Sequence, residues 1–123
     1  MDPMPKPKFV CPLSGFQMVI NGKHKLRILW ALRKGPLWFG QLKRETSVFS
    51  EVPMVQRVLS RELKALQTYG LLLRAPSKDK VEYSLSESGR SLIPLIGQIC
   101  DWSLATFDIP PIPQEVGGED FPV

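Results

Sequence analysis

Leucines recur at helical spacing in the middle of the chain and define its most informative segment. Leu59, Leu63 and Leu66 fall on one face of a helix with about 3.6 residues per turn. The opposite face carries a mainly basic stripe at i, i+3, i+4 and i+7 spacing: Arg57, Ser60, Arg61 and Lys64. The pattern predicts an amphipathic helix whose leucines pack in a core while its basic stripe faces solvent.

Helix and turn signals divide the chain before this segment into three short helices. Their predicted positions are 13–20, 23–33 and 39–45. A loop is predicted over 46–52. Pro53 suits the first turn of the long helix, where a missing N–H costs nothing, and Ser50 is its candidate N-cap. The pair Tyr69-Gly70 ends the helix, because glycine adopts the left-handed conformation freely.

A hairpin and a final helix are predicted after the long helix. Segments 71–74 and 81–85 are predicted strands around a turn at 76–80, and the second strand alternates apolar and polar residues. The last helix is predicted over 87–107, with Ser86 as its N-cap. Helices followed by a two-stranded wing and a closing, dimer-forming helix predict an α+β, mainly α fold: the winged helix-turn-helix.

Length, composition and charge fit one globular domain with a polyanionic partner. The chain has 123 residues, of which 43% are apolar and 23% are charged. All 16 Lys and Arg lie between Lys6 and Arg90, whereas residues 108–123 hold four acids and no basic residue. Residues 1–107 therefore carry 16 basic against 8 acidic side chains, a net charge of +8. An excess of this sign points most simply to nucleic acid.

The two ends of the chain differ in composition from the domain between them. Residues 1–12 are rich in proline and are predicted to form an extended arm, and residues 108–123 a flexible acidic tail. The winged-helix domain is placed at 13–107. The start of the chain shows no signal-peptide pattern, and the apolar run 16–20 is too short to span a membrane. We therefore expect a cytoplasmic protein without a membrane partner.

Residues suited to catalysis or metal binding do not form a recognisable motif in the sequence. His24 is the only histidine, and no carboxylate or serine stands at a useful spacing from it. Cys11 and Cys100, the two cysteines, have no metal-binding neighbours either. The sequence also contains no glycine-rich phosphate loop and no nucleophile motif. We therefore expect no enzymatic activity, no cofactor and no metal.

Short motifs spread over residues 11–102 keep a common order along the chain. They are CP (11–12), GKHK (22–25), ILWAL (28–32), GPLWF (35–39), LKR (42–44), VLSRELKAL (58–66), GLL (70–72), VEYSLS (81–86), GRSL (89–92) and DW (101–102). Together they resemble the HxlR family of winged helix-turn-helix transcriptional regulators. The resemblance implies a DNA-binding homodimer in which the first and last helices pair the subunits.

Several departures from the family pattern concern the approach to DNA. The family usually has tryptophan where His24 stands, and we interpret His24 as a partly buried ring in that site. The link between the two helices of the helix-turn-helix, residues 46–53, is longer than usual. The wing between Arg74 and Val81 is shorter, and Val55 falls where the family commonly starts its recognition helix with serine. The base preference of the family is therefore not carried over.

The basic stripe and its surroundings supply the candidate DNA contacts. Arginine reads guanine bidentately, glutamine reads adenine, and lysine meets phosphate. The candidates lie on the recognition helix, the supporting helix and the wing: Gln56, Arg57, Ser60, Arg61, Lys64, Lys43, Arg44, Lys78 and Lys80. For the two wing lysines, a solvated turn is the alternative. The expected partner is double-stranded DNA, bound by a homodimer at a pseudo-palindromic operator.

A different class of function remains open at this point. The alternative is a winged-helix interaction module whose basic helix docks an acidic protein partner. Steep salt dependence with duplex specificity would favour DNA, whereas binding that ignores DNA would favour the protein partner.

Cys11 has two interpretations. Some HxlR relatives use a cysteine at this Cys-Pro position to sense oxidants or electrophiles, which requires a lowered thiol pKa. Lys8 is near in sequence and would favour the thiolate. Otherwise Cys11 is a half-buried hydrophobic residue.

The last helix carries the residues expected to build the dimer. Its apolar stripe consists of Leu92, Leu95, Ile96, Ile99 and Trp102. Cys100 lies beside this stripe and is interpreted as a packing residue. Four large aromatic residues are predicted to belong to the core: Trp30, Trp38, Phe39 and Trp102.

Overall fold

The computed structural model describes residues 8–48 and 54–109, which form helices around a small antiparallel sheet. In chain order the elements are α1 (Pro12–Val19), α2 (Lys25–Ala31), β1 (Leu37–Trp38), α3 (Phe39–Ser47), α4 (Gln56–Thr68), β2 (Leu72–Pro76), β3 (Val81–Leu85) and α5 (Glu87–Thr106). This order confirms the predicted winged helix-turn-helix, in which α3 and α4 are the paired helices and the β2–β3 hairpin is the wing. Residues 1–7 of the predicted arm and 110–123 of the predicted tail lie outside the described residues.

The sheet has one strand more than the predicted wing. Its order is β1-β3-β2, and both pairings are antiparallel. In the added pairing, Leu37 and Trp38 of β1 lie opposite Tyr83 and Glu82 of β3. Two residues are too few to show period-two alternation, so β1 could not be recognised from the sequence. Its effect is to attach the start of α3 to the edge of the wing.

Helix α4 confirms the predicted leucine face but begins later than predicted. Leu59, Leu63 and Leu66 are at most 1% exposed. The helix starts at Gln56 after Val55, which makes no side-chain cap. Pro53, predicted for its first turn, lies outside the described residues. The candidate cap Ser50 lies outside the described residues. Gly70 has a φ of 80°, as the predicted glycine stop requires.

The core lies where α2, α3, α4, the sheet and α5 meet. Its members are Ile20, Ile28, Leu29, Leu32, Leu42, Met54, Leu59, Leu63, Leu66, Leu72, Tyr83, Leu85 and Ile96. Trp30 and Phe39 pack against this cluster from its edge, as predicted. Trp102 does not, because 59% of its surface is exposed. Its assignment to the core is wrong for the single chain.

Helix α5 begins at the predicted cap and continues through an internal proline. The Ser86 hydroxyl accepts a hydrogen bond from the backbone N–H of Gly89 at 3.1 Å and donates one to the carbonyl of Gly70 at 2.6 Å. These bonds join the start of α5 to the end of α4. A Cβ at Gly89 would collide with the carbonyl oxygen of Leu71, so this approach needs glycine. No helix in residues 8–48 and 54–109 has the length and hydrophobicity to cross a bilayer.

Candidate nucleic-acid interface

The basic stripe of α4 is exposed along its whole length. Arg57, Ser60, Arg61 and Lys64 are all exposed in the structure, as is Gln56 at the start of the helix. The leucines on the opposite face are buried. They anchor the helix in the core while its polar side chains face solvent. Exposure is confirmed; the role of each side chain in binding DNA stays a prediction.

A buried ion pair that the sequence interpretation missed also holds α4. Nζ of Lys25 lies 2.5 Å from Oε1 of Glu62, and the two side chains are 11% and 9% exposed. The same Nζ donates to the carbonyl of Asn21 at 2.8 Å. The pair joins α2 to the inner side of α4. Glu62 stands one position before Leu63 on the leucine side of the helical wheel, and that placement was the available signal for a buried partner.

The wing lies beside the start of α4. A groove of about 670 Å³ separates them, lined among others by Trp38, Gln56, Ser60, Lys80 and Tyr83. Nζ of Lys80 sits 5.1 Å from the centre of the Trp38 ring, a cation–π contact. The wing and the recognition helix thus share one concave surface.

The predicted site residues divide into two groups relative to this groove. Gln56, Ser60 and Lys80 line it. The remaining candidates do not, although all but one are exposed: Arg44, Arg57, Arg61, Lys64 and Lys78, with Lys43 half-buried. The structure therefore brings together the first turns of α4 and the wing, and leaves Lys43 and Arg44 on the separate surface of α3.

The end of α3 and the residues just before α4 are held together by side-chain hydrogen bonds. The Ser47 hydroxyl accepts from the backbone N–H of Met54 at 3.0 Å and donates to the carbonyl of Lys43 at 2.8 Å. The buried Thr46 hydroxyl donates to the carbonyl of Leu42 at 2.8 Å, within α3. The bond between Ser47 and Met54 therefore connects the end of α3 to the segment just before α4, although the link predicted between the two helices is long.

His24 precedes α2 as a half-buried ring, as interpreted from the sequence. Its Nδ1 is buried without a hydrogen-bond partner. Burial lowers the pKa of His24 below 6.5, and the nearby Glu62 carboxylate opposes this effect without cancelling it. The ring is therefore held neutral in the folded protein at neutral pH.

The two cysteines have thiols of opposite character. Cys11 occupies the N-cap position of α1, where the backbone N–H groups of Ser14 and Leu13 favour the thiolate and lower the pKa of Cys11. Burial raises the pKa of Cys100 on α5. Cys11 is thus the thiol that forms a thiolate more readily.

The apolar stripe of α5 is divided between core and surface. Leu95, Ile99 and Trp102 expose 51%, 45% and 59% of their surfaces, and Leu92 is half-buried. Ile96, which was predicted to belong to the dimer stripe, is 4% exposed within the core of one chain. The prediction that Ile96 belongs to the dimer-forming part of the apolar stripe is wrong, because Ile96 lies on the side of α5 that faces the core.

Helix α1 contributes a second apolar surface beside the first. Of its residues, Gly15 alone is buried, while Leu13 and Met18 expose 73% and 58% of their surfaces. A groove of about 680 Å³ lies between α1 and α5, lined among others by Cys11, Phe16 and Leu95. Within the described part of the chain, no group of three or more His, Cys, Asp or Glu is arranged to hold a metal ion.

An exposed basic helix supported by a partner helix and flanked by a β-wing defines a winged helix-turn-helix protein. Residues 19–109 match the family described as HxlR-like helix-turn-helix. The chain belongs to this family of transcriptional regulators.

Relatives of known sequence agree with this membership. The HTH-type transcriptional regulator YdzF of Bacillus subtilis (strain 168) is 43% identical over 91 residues, covering 71% of this chain and 79% of its own length. An HTH-type transcriptional regulator of Methanothermobacter thermautotrophicus is 32% identical over 105 residues, covering 82% and 76%.

Solved structures show the same fold. A MarR-family transcriptional regulator from Porphyromonas gingivalis W83 matches with a TM-score of 0.71 at 25% identity, covering 85% of this chain and all of its own. The redox regulator HypR in its oxidized form matches with a TM-score of 0.68 at 30% identity, covering 80% of this chain and all of its own. The comparisons indicate regulators and no catalytic family.

Proposed function

We propose that the protein is a sequence-specific regulator that binds double-stranded DNA as a homodimer at a pseudo-palindromic operator. The observation that carries this proposal is the exposed basic stripe of α4 on a support of buried leucines. An α-helix of this kind fits the major groove of B-DNA, which is about 12 Å wide. We expect such a regulator to act in the cytoplasm, where the DNA of its bacterial and archaeal relatives lies.

Base reading is assigned to the recognition helix. Arg57 and Arg61 lie one turn apart, with about 6 Å between their Cβ atoms, so both can reach neighbouring bases. Gln56 is a candidate for an adenine edge, and Ser60 lies beside it in the groove. Lys64, further along the helix, is assigned to phosphate.

Phosphate contacts from outside α4 position the protein on the duplex. Lys43 and Arg44 of α3 and Lys78 and Lys80 of the wing are assigned to this role. The +8 charge of residues 1–107 favours the polyanion through the whole field of the domain.

The exposed apolar faces of α1 and α5 support the homodimer. A two-fold dimer would bury Leu95, Ile99 and Trp102 of α5 against the same helix of a second copy, with α1 alongside. Two recognition helices related by a two-fold axis then read two half-sites about 34–36 Å apart, which is why the operator is expected to be pseudo-palindromic.

A response to oxidants or electrophiles through Cys11 is part of the proposal. Its support is the lowered pKa of Cys11 at the start of α1, inside the groove between α1 and α5. The relative HypR, 30% identical, is described as a redox regulator. Modification of Cys11 would alter the surface that pairs the subunits and thereby the spacing of the two recognition helices.

Selection of bound DNA from a random duplex pool, followed by titration of the selected duplex, tests the assignment. Replacing Arg57 or Arg61 by alanine should cost roughly 1–3 kcal/mol on that duplex and blur its sequence preference. Lys64→Ala should weaken all duplexes alike and reduce the slope of log K against log salt by about one unit. Arg90→Ala, which removes one exposed positive charge from α5, is the matched control.

The double variant Arg57→Ala/Arg61→Ala should stay folded, because both side chains are exposed and the leucines hold the helix. Unchanged affinity and specificity in that variant would overturn the recognition-helix assignment. Selection that returns no preferred duplex, together with binding to acidic proteins that ignores DNA, would favour the interaction module instead.

A further inference from the structure

Glu62 is the acidic residue of the recognition helix, and its carboxylate lies between two cations. Oε1 faces Nζ of Lys25 at 2.5 Å, and Oε2 lies 3.5 Å from Nη2 of Arg61. The side chain of Arg61 is 69% exposed, whereas that of Glu62 is 9% exposed. One buried carboxylate therefore connects α2 to an exposed side chain of the basic stripe.

The lysine fixes the direction in which the carboxylate points. Lys25 is itself anchored, because its Nζ also donates to the carbonyl of Asn21. With Oε1 of Glu62 engaged by Lys25, Oε2 is left facing Arg61. The rotamer freedom of Glu62 is thus already lost on folding, and contact with Arg61 requires only the arginine to become ordered.

We infer that Glu62 is a positioning residue that orients Arg61 for base recognition, and this inference rests on the proposed function. A guanidinium reads guanine through two hydrogen bonds in a fixed plane, so its orientation matters more than its charge. An unrestrained arginine reaches phosphates on any sequence equally well. Because Lys25 and Glu62 together carry no net charge, the pair acts on sequence discrimination and leaves the salt dependence unchanged.

The alternative role for the Lys25–Glu62 pair is to hold the fold alone. Glu62→Met by itself cannot distinguish the two, because it leaves Lys25 buried and uncompensated, which is strongly destabilising. The double variant Lys25→Met/Glu62→Met replaces the pair by apolar side chains of similar length. Such replacements of buried pairs are often neutral or stabilising, and the net charge stays the same.

The experiment compares this double variant with the wild type by the ratio of affinities for the selected duplex and a scrambled one. The wild type and the double variant are each also measured with Arg61→Ala added, and all affinities are measured at several salt concentrations. We expect the ratio to fall about two- to fivefold, the range of an exposed ion pair, with an unchanged salt slope. In the Arg61→Ala background the exchange should have no further effect.

Two outcomes would overturn the inference: a ratio unchanged by the exchange, or an equal loss with and without Arg61, which would mean that Glu62 acts through the helix as a whole. A wild-type protein without any duplex preference would contradict the proposed function instead. Lys8→Gln/Asp108→Asn, a neutral exchange at two exposed positions, should leave the ratio at its wild-type value.

Glu62→Gln provides a second test: it keeps a hydrogen-bond acceptor toward Lys25 and removes the charge facing Arg61. Because it also removes the counter-charge of the buried Lys25, circular dichroism first checks that the variant keeps its helical content. The variant should lower the discrimination ratio in the same direction, again only when Arg61 is present. Its matched control is Glu87→Gln at the exposed start of α5, which makes the same change in charge away from Arg61. Equal ratios in both glutamine variants would contradict the positioning role.

Discussion

One substitution on the exposed face of α5 should weaken the dimer without unfolding the single chain. Trp102 keeps 59% of its surface exposed, and its ring meets Phe107 edge-on at 5.3 Å between centroids. For an indole residue of roughly 250 Å², this leaves about 150 Å² for a partner. Complete burial of that area contributes about 3–4 kcal/mol per subunit, at roughly 25 cal/mol per Å².

Trp102→Ala should therefore weaken the dimer strongly. Because alanine keeps part of the contact, we expect a loss of about 2 kcal/mol per subunit. The isologous interface contains the residue twice, which gives about 4 kcal/mol per dimer. At tenfold per 1.4 kcal/mol, the dissociation constant of the dimer rises about a thousandfold. Sedimentation over a concentration series measures that constant, and circular dichroism checks that the helical content is kept.

Leu104 offers a matched control on the same helix. It is also apolar, with 39% of its surface exposed, but lies two residues on, at about 200° around the helix from Trp102. Leu104→Ala should leave the dissociation constant unchanged. If Trp102→Ala sediments as the wild-type dimer with the same constant, α5 is not the interface. A wild-type chain that stays monomeric at every concentration tested would refute the dimer itself.

Three further substitutions or reagents test other parts of the structure. Cys11 should react with diamide or a quinone much faster than Cys100 at neutral pH, because its pKa is lowered and that of Cys100 is raised; equal slow rates, followed by mass spectrometry, would leave Cys11 a packing role. Burial lowers the pKa of His24 from 6.5, so the unfolded chain binds the proton more tightly and the protein should lose stability as the pH falls below about 6.5; His24→Phe should lessen that loss in urea melts at pH 5 and 7.5. Gly89→Ala should destabilise the fold by about 1–3 kcal/mol, since the backbone of Leu71 blocks a Cβ there; a wild-type melting temperature would contradict this.

Local sequence patterns predicted the helices and the wing well where an element packs against the core with only one of its faces. The leucine spacing of α4 and the alternation of β3 each follow from burial on one side, and both are confirmed. The start of α4 was misplaced because Pro53 is compatible with a first helical turn but does not require one. Strand β1 was missed because it is only two residues long and pairs with β3, which is distant in sequence. So short a segment shows no strand pattern of its own.

Helix α5 shows why the dimer stripe could be predicted only in part. Its apolar residues serve two surfaces: Ile96 packs into the core, while Leu95 and Ile99 on either side of it stay exposed. Helical periodicity locates a broad apolar face but does not divide it between an intramolecular and an intermolecular partner. Which residues of α5 face the core depends on where α2 packs against it. The side chain of Trp30 on α2 lies against Gly97 on α5 and shows where the two helices meet.

The Lys25–Glu62 pair could be predicted only in part, for a different reason. The sequence places Glu62 on the leucine side of α4, but Lys25 lies 37 positions away and nothing in the pattern identifies it as the partner. Burying both is costly, and the energy recovered in the pair rarely exceeds that of an apolar replacement. A stability argument alone therefore gives little reason to place these charges inside. Under the proposed function, the carboxylate oxygen that faces Arg61 supplies one, since an apolar pair would pack as well but could not orient the arginine for base recognition.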